Sequence, residues 1–157
     1  MNIFDALRKK EPFEVIHHVA LVEAPLDVVG AQLAVWPENA WWSFAPLGFK
    51  AITFDGMRAG ARWEGSFKSF FPIRWHGEVA EFVANTRVRS VLDGFFKGTE
   101  LLSAEERFNG IKVEYHLTYE IVNPVNQLLW SLFVEESFIK ATQNALKAFK
   151  AQCEKAK

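Results

Sequence analysis

The stretch PVNQLLWSLFVEESFIKATQNALKAFKAQCE, residues 124–154, decides the fold. It reads as one long helix. Asn123 can cap it, and Pro124 is tolerated at the first helical position. About 30 residues at 1.5 Å each span roughly 45 Å. On a helical wheel Leu128, Leu132, Ile139, Thr142, Leu146, Phe149 and Cys153 form one stripe, with Lys140, Gln143, Asn144 and Lys147 off its centre. The first half, residues 128–134, is apolar almost all round, so it should touch more than one surface or lie near a pocket mouth. Before this helix the chain alternates like a sheet. A sheet followed by one long closing helix suggests a sheet curled around that helix, with an apolar hollow between them.

Working back towards the start supports the sheet. Residues 111–122 alternate cleanly: Val113, Tyr115, Leu117, Tyr119 and Ile121 against Lys112, Glu114, His116, Thr118 and Glu120. Asn109-Gly110 predicts a type I′ turn with positive φ at both central residues, joining this strand to one over residues 99–108. The parity of that earlier strand is unclear, which suggests a bulge. Val88, Ser90 and Leu92 share a face in residues 87–95. Ile73, Trp75, Gly77 and Val79 share one in the strand before, and Trp63, Gly65 and Phe67 in the strand before that. Residues 47–54 and 15–23 read as two further strands. Between them lie a helix over residues 26–35, opened by Pro25, and a short second helical turn over residues 39–44. The fold class is therefore α+β, with one domain over residues 1–157 and a short N-terminal segment over residues 1–13.

Composition narrows the function. The chain is half hydrophobic, with 15 Phe, six Trp and two Tyr, so its aromatic surface is mostly apolar. Eighteen basic against 19 acidic residues leave a net charge of −1, and no global field favours nucleic acid. The single cysteine, Cys153, excludes an internal disulfide and a thiolate metal cluster. No run reaches the length of a transmembrane segment, and MNIFDALRKKEPFE lacks the apolar core of a signal peptide. We expect a cytoplasmic protein with no cofactor. Ile3, Phe4 and Leu7 form one face of a short helix before Arg8, Lys9 and Lys10, either a packed terminus or a weak membrane contact.

The order of elements resembles the START/polyketide-cyclase (SRPBCC) superfamily, whose fold is called the helix grip. Val22-Glu23-Ala24-Pro25 with Val28 and Val29 looks like that family's strand-to-helix passage. Trp41-Trp42 lies where members often carry Trp, and Pro124, Leu128, Leu129 and residues 145–150 look like its closing helix. The resemblance implies an antiparallel sheet gripping the last helix around an apolar cavity, with START-like lipid carriers, hormone binders and cyclases among the members. Residues 55–60 do not reproduce the glycine-rich loop of the plant members, and one cysteine rules out a Rieske cluster.

Candidate chemistry is sparse. His17 and His18 are adjacent, so a strand points them to opposite faces; His76 and His116 share parity with charged residues and should face outward. No metal site is expected. Neither a nucleophile motif nor a phosphate loop is present. Arg62, Arg74, Arg87 and Arg89 beside Glu64, Glu78 and Glu81 read as cross-strand charge pairs. Glu135 falls near the middle of the helix stripe. Either a register change near Val134 moves it outward, or it points into the pocket as a polar anchor or proton donor. Tyr115 and Tyr119 face inward and either satisfy themselves or orient a ligand, while Trp63, Phe67 and Trp75 line the pocket or fill it. With Leu132 and Ile139, these residues are the expected ligand-binding set. The expected partner is a small apolar or aromatic molecule or a lipid. Two other readings stand beside binding: a cyclase- or dehydratase-type enzyme, and lipid transfer with residues 128–134 in a gate.

Overall fold

In a computed structural model of the chain, residues 13–35, 47–53, 56–69 and 71–156 are described. The expected N-terminal helix, the turn over residues 39–44 and Trp41-Trp42 lie outside them. The described strands are β1 (Glu14–Val22), β2 (Leu47–Thr53), β3 (Arg62–Lys68), β4 (Pro72–Val83), β5 (Arg87–Gly94), β6 (Lys97–Arg107) and β7 (Gly110–Glu120). One short helix, α1 (Leu26–Leu33), follows β1, and the long closing helix follows β7.

The strands form one antiparallel sheet in the order β1-β7-β6-β5-β4-β3-β2. The chain thus lays down one edge, crosses to the opposite edge, and meanders back until β7 pairs with β1. The closing helix touches α1 and both edge strands, β1 and β2. One helix can meet both edges only if the sheet curls around it. Register shifts between Val79 and Glu81 in β4, and between Ala51 and Thr53 in β2, supply local bending. The bulge expected in β6 is not there: β6 pairs with β5 and β7 in unbroken register.

The β6–β7 hairpin is where Asn109-Gly110 places it, but its loop is one residue earlier. Arg107 pairs with Gly110, so Phe108 and Asn109 form the tip. Of Asn109 and Gly110, only the glycine takes positive φ, at 144°, so the turn is not the expected type I′. Phe108 consequently stands wholly in solvent.

The closing helix is interrupted. Its first part, α2 (Pro124–Leu129), is capped as expected, with Asn123 Oδ1 accepting from the backbone N–H of Val125 at 2.9 Å and Asn126 at 3.1 Å. A π-helical turn, Trp130–Val134, then leads into α3 (Glu135–Ala156). A π turn carries more residues than an α turn, so the halves are out of phase. The residues α3 buries are Phe138, Ala141, Thr142, Ala145, Leu146, Phe149 and Cys153, with Trp130 and Val134 buried in the turn. α3 also covers part of the β1 edge: Lys150 Nζ donates to the Leu21 carbonyl at 2.7 Å, and Glu154 accepts from Glu23 N–H at 2.8 Å.

Candidate functional site

The concave face of the sheet is paved by two indoles. Trp63 in β3 pairs with Gly77 in β4, and Trp75 in β4 pairs with Gly65 in β3. A β-carbon built on Gly77 would collide with the Trp63 ring, and one on Gly65 with the Trp75 ring. The two glycines therefore exist for the tryptophans: each indole lies down across the bare backbone opposite. Phe49 packs edge-on against both rings, and Phe96 and Phe138 cover Trp75. Phe67 meets Phe138 at 5.4 Å. Trp63, Phe67 and Trp75 are all buried. The Trp75 Nε1 donor is buried with no hydrogen-bond partner.

Beside this apolar floor runs a row of polar side chains. Trp63 Nε1 donates to Ser90 Oγ on β5 at 3.4 Å. Ser90 pairs directly with Glu100 on β6, and Tyr115 on β7 donates its hydroxyl to Glu100 Oε2 at 2.8 Å. Ser90 is 1% exposed and Glu100 5%. Burial pushes the Glu100 carboxyl up to about 7, only partly offset by the Tyr115 bond. Burial, then the neighbouring Glu100 charge, holds the Tyr115 hydroxyl well above its ordinary range, so it stays a donor.

β1 resolves the paired histidines. His18 faces inward, its ring stacked beside Tyr115 at 6.2 Å. Its Nε2 meets Thr142 Oγ1 at 2.9 Å, and Thr142 donates its own proton to the Ile139 carbonyl. Nε2 must then carry the proton and donate to Thr142. Burial lowers the His18 pKa, so its neutral form is favoured. His17 faces outward, stacked on His116 at 5.1 Å and bonded to Glu114 at 2.9 Å. Among the described residues no group of three or more His, Cys, Asp or Glu is placed to hold a metal.

Tyr119 on β7 and the helix-borne Leu132, Glu135 and Ile139 do not converge on one point. Tyr119 is buried and accepts from Trp130 Nε1 at 3.1 Å. Burial raises its pKa, as do the charges of Glu135 and Glu14. Glu135 is half-buried at the start of α3, near Tyr119 rather than over the sheet centre. Leu132 is half-buried within the π turn, and Ile139 is 36% exposed. A wheel drawn through both halves of the helix puts Ile139 on the inner stripe; after the π turn Phe138 takes that place. The wheel also passes over Trp130, whose ring packs against Phe138 at 4.9 Å. The inward residues that sequence reasoning missed as a site are Glu100, Ser90 and His18. For Ser90 the signal was present, since it shares parity with Val88 and Leu92.

With this geometry the chain can be set beside known proteins. It superposes on the solution structure of KanY protein with a TM-score of 0.70 at 13% identity, covering 90% of this chain and 97% of that one. On ginseng (Panax ginseng) major latex-like protein 151 the TM-score is 0.67 at 10% identity, with 90% and 97% covered. On a protein from Thermus thermophilus it is 0.67 at 18% identity, with 91% and 99% covered. The fold is a helix grip. No family model and no curated protein matches the sequence. In this helix grip, no helix among the described residues is long and apolar enough to cross a membrane.

Proposed function

We propose that this helix-grip protein binds a small apolar or aromatic molecule between the inner face of its sheet and α3. One observation carries the reading: a buried carboxyl, Glu100, stands beside an apolar floor with Tyr115 bonded to one of its oxygens. Burying a carboxyl costs free energy, and no cation pairs with Glu100 among the described residues. A domain needing only to fold is served better by leucine at that position. A binding protein needs such a group, because apolar walls supply affinity and a few polar atoms fix orientation. Trp63, Phe67 and Trp75 give the apolar surface and Tyr115 the polar end, with Tyr119 held by Trp130 further along the same strand.

Native mass spectrometry of the purified protein, with solvent extraction of any bound compound, tests this directly. An apolar compound carried unchanged, or taken up from an added panel at one per chain, supports binding. A chain that takes up no compound from apolar, aromatic and lipid panels overturns it.

The Glu100 carboxyl near 7 favours one second reading, an enzyme of cyclase or dehydratase type. A group poised near neutrality can both release and return a proton. Such an enzyme would turn a carbonyl compound into product, and Glu100→Gln would abolish turnover while leaving uptake intact.

A further inference from the structure

We propose that the ligand is an apolar alcohol or phenol, its single hydroxyl seated between Ser90 and Glu100. The inference rests on the binding reading above and specifies what that site recognises.

In the Trp63–Ser90 bond the proton comes from the indole. Ser90 keeps its own hydroxyl proton, and no acceptor takes it among the described residues. In the Tyr115–Glu100 bond the proton comes from tyrosine and fills one side of Oε2. Oε1 receives no donor among the described residues. Ser90 and Glu100 are directly opposed across β5 and β6 on the same face. Such neighbours stand about 5 Å apart at their β-carbons. Above about pH 7, where Glu100 is ionised, the site therefore presents one unused donor and one unused acceptor side by side. A hydroxyl oxygen placed between them accepts from Ser90 and donates to Glu100, satisfying both with one atom.

Other chemistries fit less well. An ammonium group would satisfy Glu100 but leave the Ser90 proton without an acceptor. A carboxylate would meet the Glu100 oxygen as a like charge with no cation nearby. An ether accepts from Ser90 and gives Glu100 nothing. The body attached to the hydroxyl meets the Trp63 ring, which lies along the sheet across Gly77 and ends at Ser90. A flat apolar skeleton matches that surface.

Isothermal titration at about pH 8, where the Glu100 carboxyl is ionised, with naphthol, methoxynaphthalene, methylnaphthalene, naphthylmethylamine and naphthoate tests the proposal on the full chain. Naphthol should bind the wild type about tenfold more tightly than methylnaphthalene, the worth of a hydrogen bond to a charged partner. Methoxynaphthalene should bind no better than methylnaphthalene. Ser90→Ala removes one of the two bonds and should weaken naphthol binding several-fold, while changing methylnaphthalene affinity by less than about threefold. Glu100→Gln turns the acceptor into an amide that can donate, so there methoxynaphthalene should bind as well as naphthol. Thermal melts show whether both variants are folded; should Glu100→Gln not be, the smaller Ser90→Ala change decides. Equal binding of naphthol and methylnaphthalene to the wild type overturns the hydroxyl assignment and leaves the binding reading standing, as does a naphthol affinity left unchanged by Ser90→Ala. Failure of all five compounds to bind overturns the binding reading and this inference with it.

Discussion

Glu100 ties the stability of this protein to pH in an uncommon direction. Its carboxyl is raised to about 7 in the fold, against an ordinary value of 4.5. Between those values the folded chain holds the proton and the unfolded chain has lost it, so stability falls as pH rises. The contribution is full below about 4.5 and gone above about 7. His18 works the other way: its pKa is lowered by burial, so protonation favours the unfolded chain and stability falls as pH drops below the ordinary histidine range. Urea unfolding across pH 4.5 to 8 should therefore separate the two groups. Glu100→Gln should flatten the loss of stability on the neutral side, by an amount of order a few kcal/mol, and a pH profile unchanged from wild type would refute the burial of an ionisable Glu100. Neither group was legible as a site from the sequence. In β6 the run Thr99-Glu100-Leu101-Leu102-Ser103-Ala104 puts apolar and polar side chains on both parities, and only pairing with β5 and β7 shows that Glu100, Leu102 and Ala104 point inward. β1 is ambiguous in the same way, with Val15, Val19 and Leu21 exposed while Ile16 and Val22 are buried.

The β3–β4 hairpin and the closing helix differ in how far periodicity describes them. The hairpin obeys it: Trp63, Gly65, Phe67, Trp75 and Gly77 share the face the alternation gives them. Alternation does not show that each tryptophan lies on the other strand's glycine, because that depends on register. Gly65→Ala and Gly77→Ala should each cost about 1–3 kcal/mol through displaced indoles, with altered near-ultraviolet circular dichroism from the tryptophans. If either alanine is tolerated without a spectral change, the indoles do not lie where they are placed. The helix departs from its period at Trp130–Val134, where a five-residue π turn resets the phase. A single wheel through residues 124–154 therefore averages two faces, which is why it selects Ile139 and passes over Trp130 and Phe138. A register change does occur next to Val134, and it leaves Glu135 half-buried at the start of α3. Deleting Ser131 should convert the turn to plain α-helix and swing Trp130 about 100° away from Tyr119. We expect a loss of at least about 2 kcal/mol in chemical unfolding, since a buried indole loses its bond and its packing. Tyr119→Phe, which leaves Trp130 Nε1 without an acceptor, should reproduce about 1–3 kcal/mol of it.

The order of elements carried the architecture because topology is coarse: the described residues form one strand, a helix, six strands and a long helix, which leave few ways to close an antiparallel sheet. Among the described residues α3 is the helix that touches both sheet edges. A ligand between sheet and helix must pass this contact or go around it. Cys153 reports on it. Its thiol is fully buried near the end of α3, and burial, reinforced by Glu154, pushes it up to about 12. While α3 stays packed, the thiol is both inaccessible and protonated, so it is not a nucleophile. Labelling with a thiol reagent at pH 8 should thus run at least about a hundredfold slower in buffer than in concentrated urea, the residual rate measuring how often α3 lifts from the sheet. Saturation with a ligand that bridges sheet and helix should slow that residual rate further, because binding to the closed form lowers the open population. If labelling in buffer matches the rate in urea, the C-terminal turns of α3 are not held against the sheet. If ligand leaves a measurable residual rate unchanged, the ligand does not stabilise the contact between α3 and the sheet.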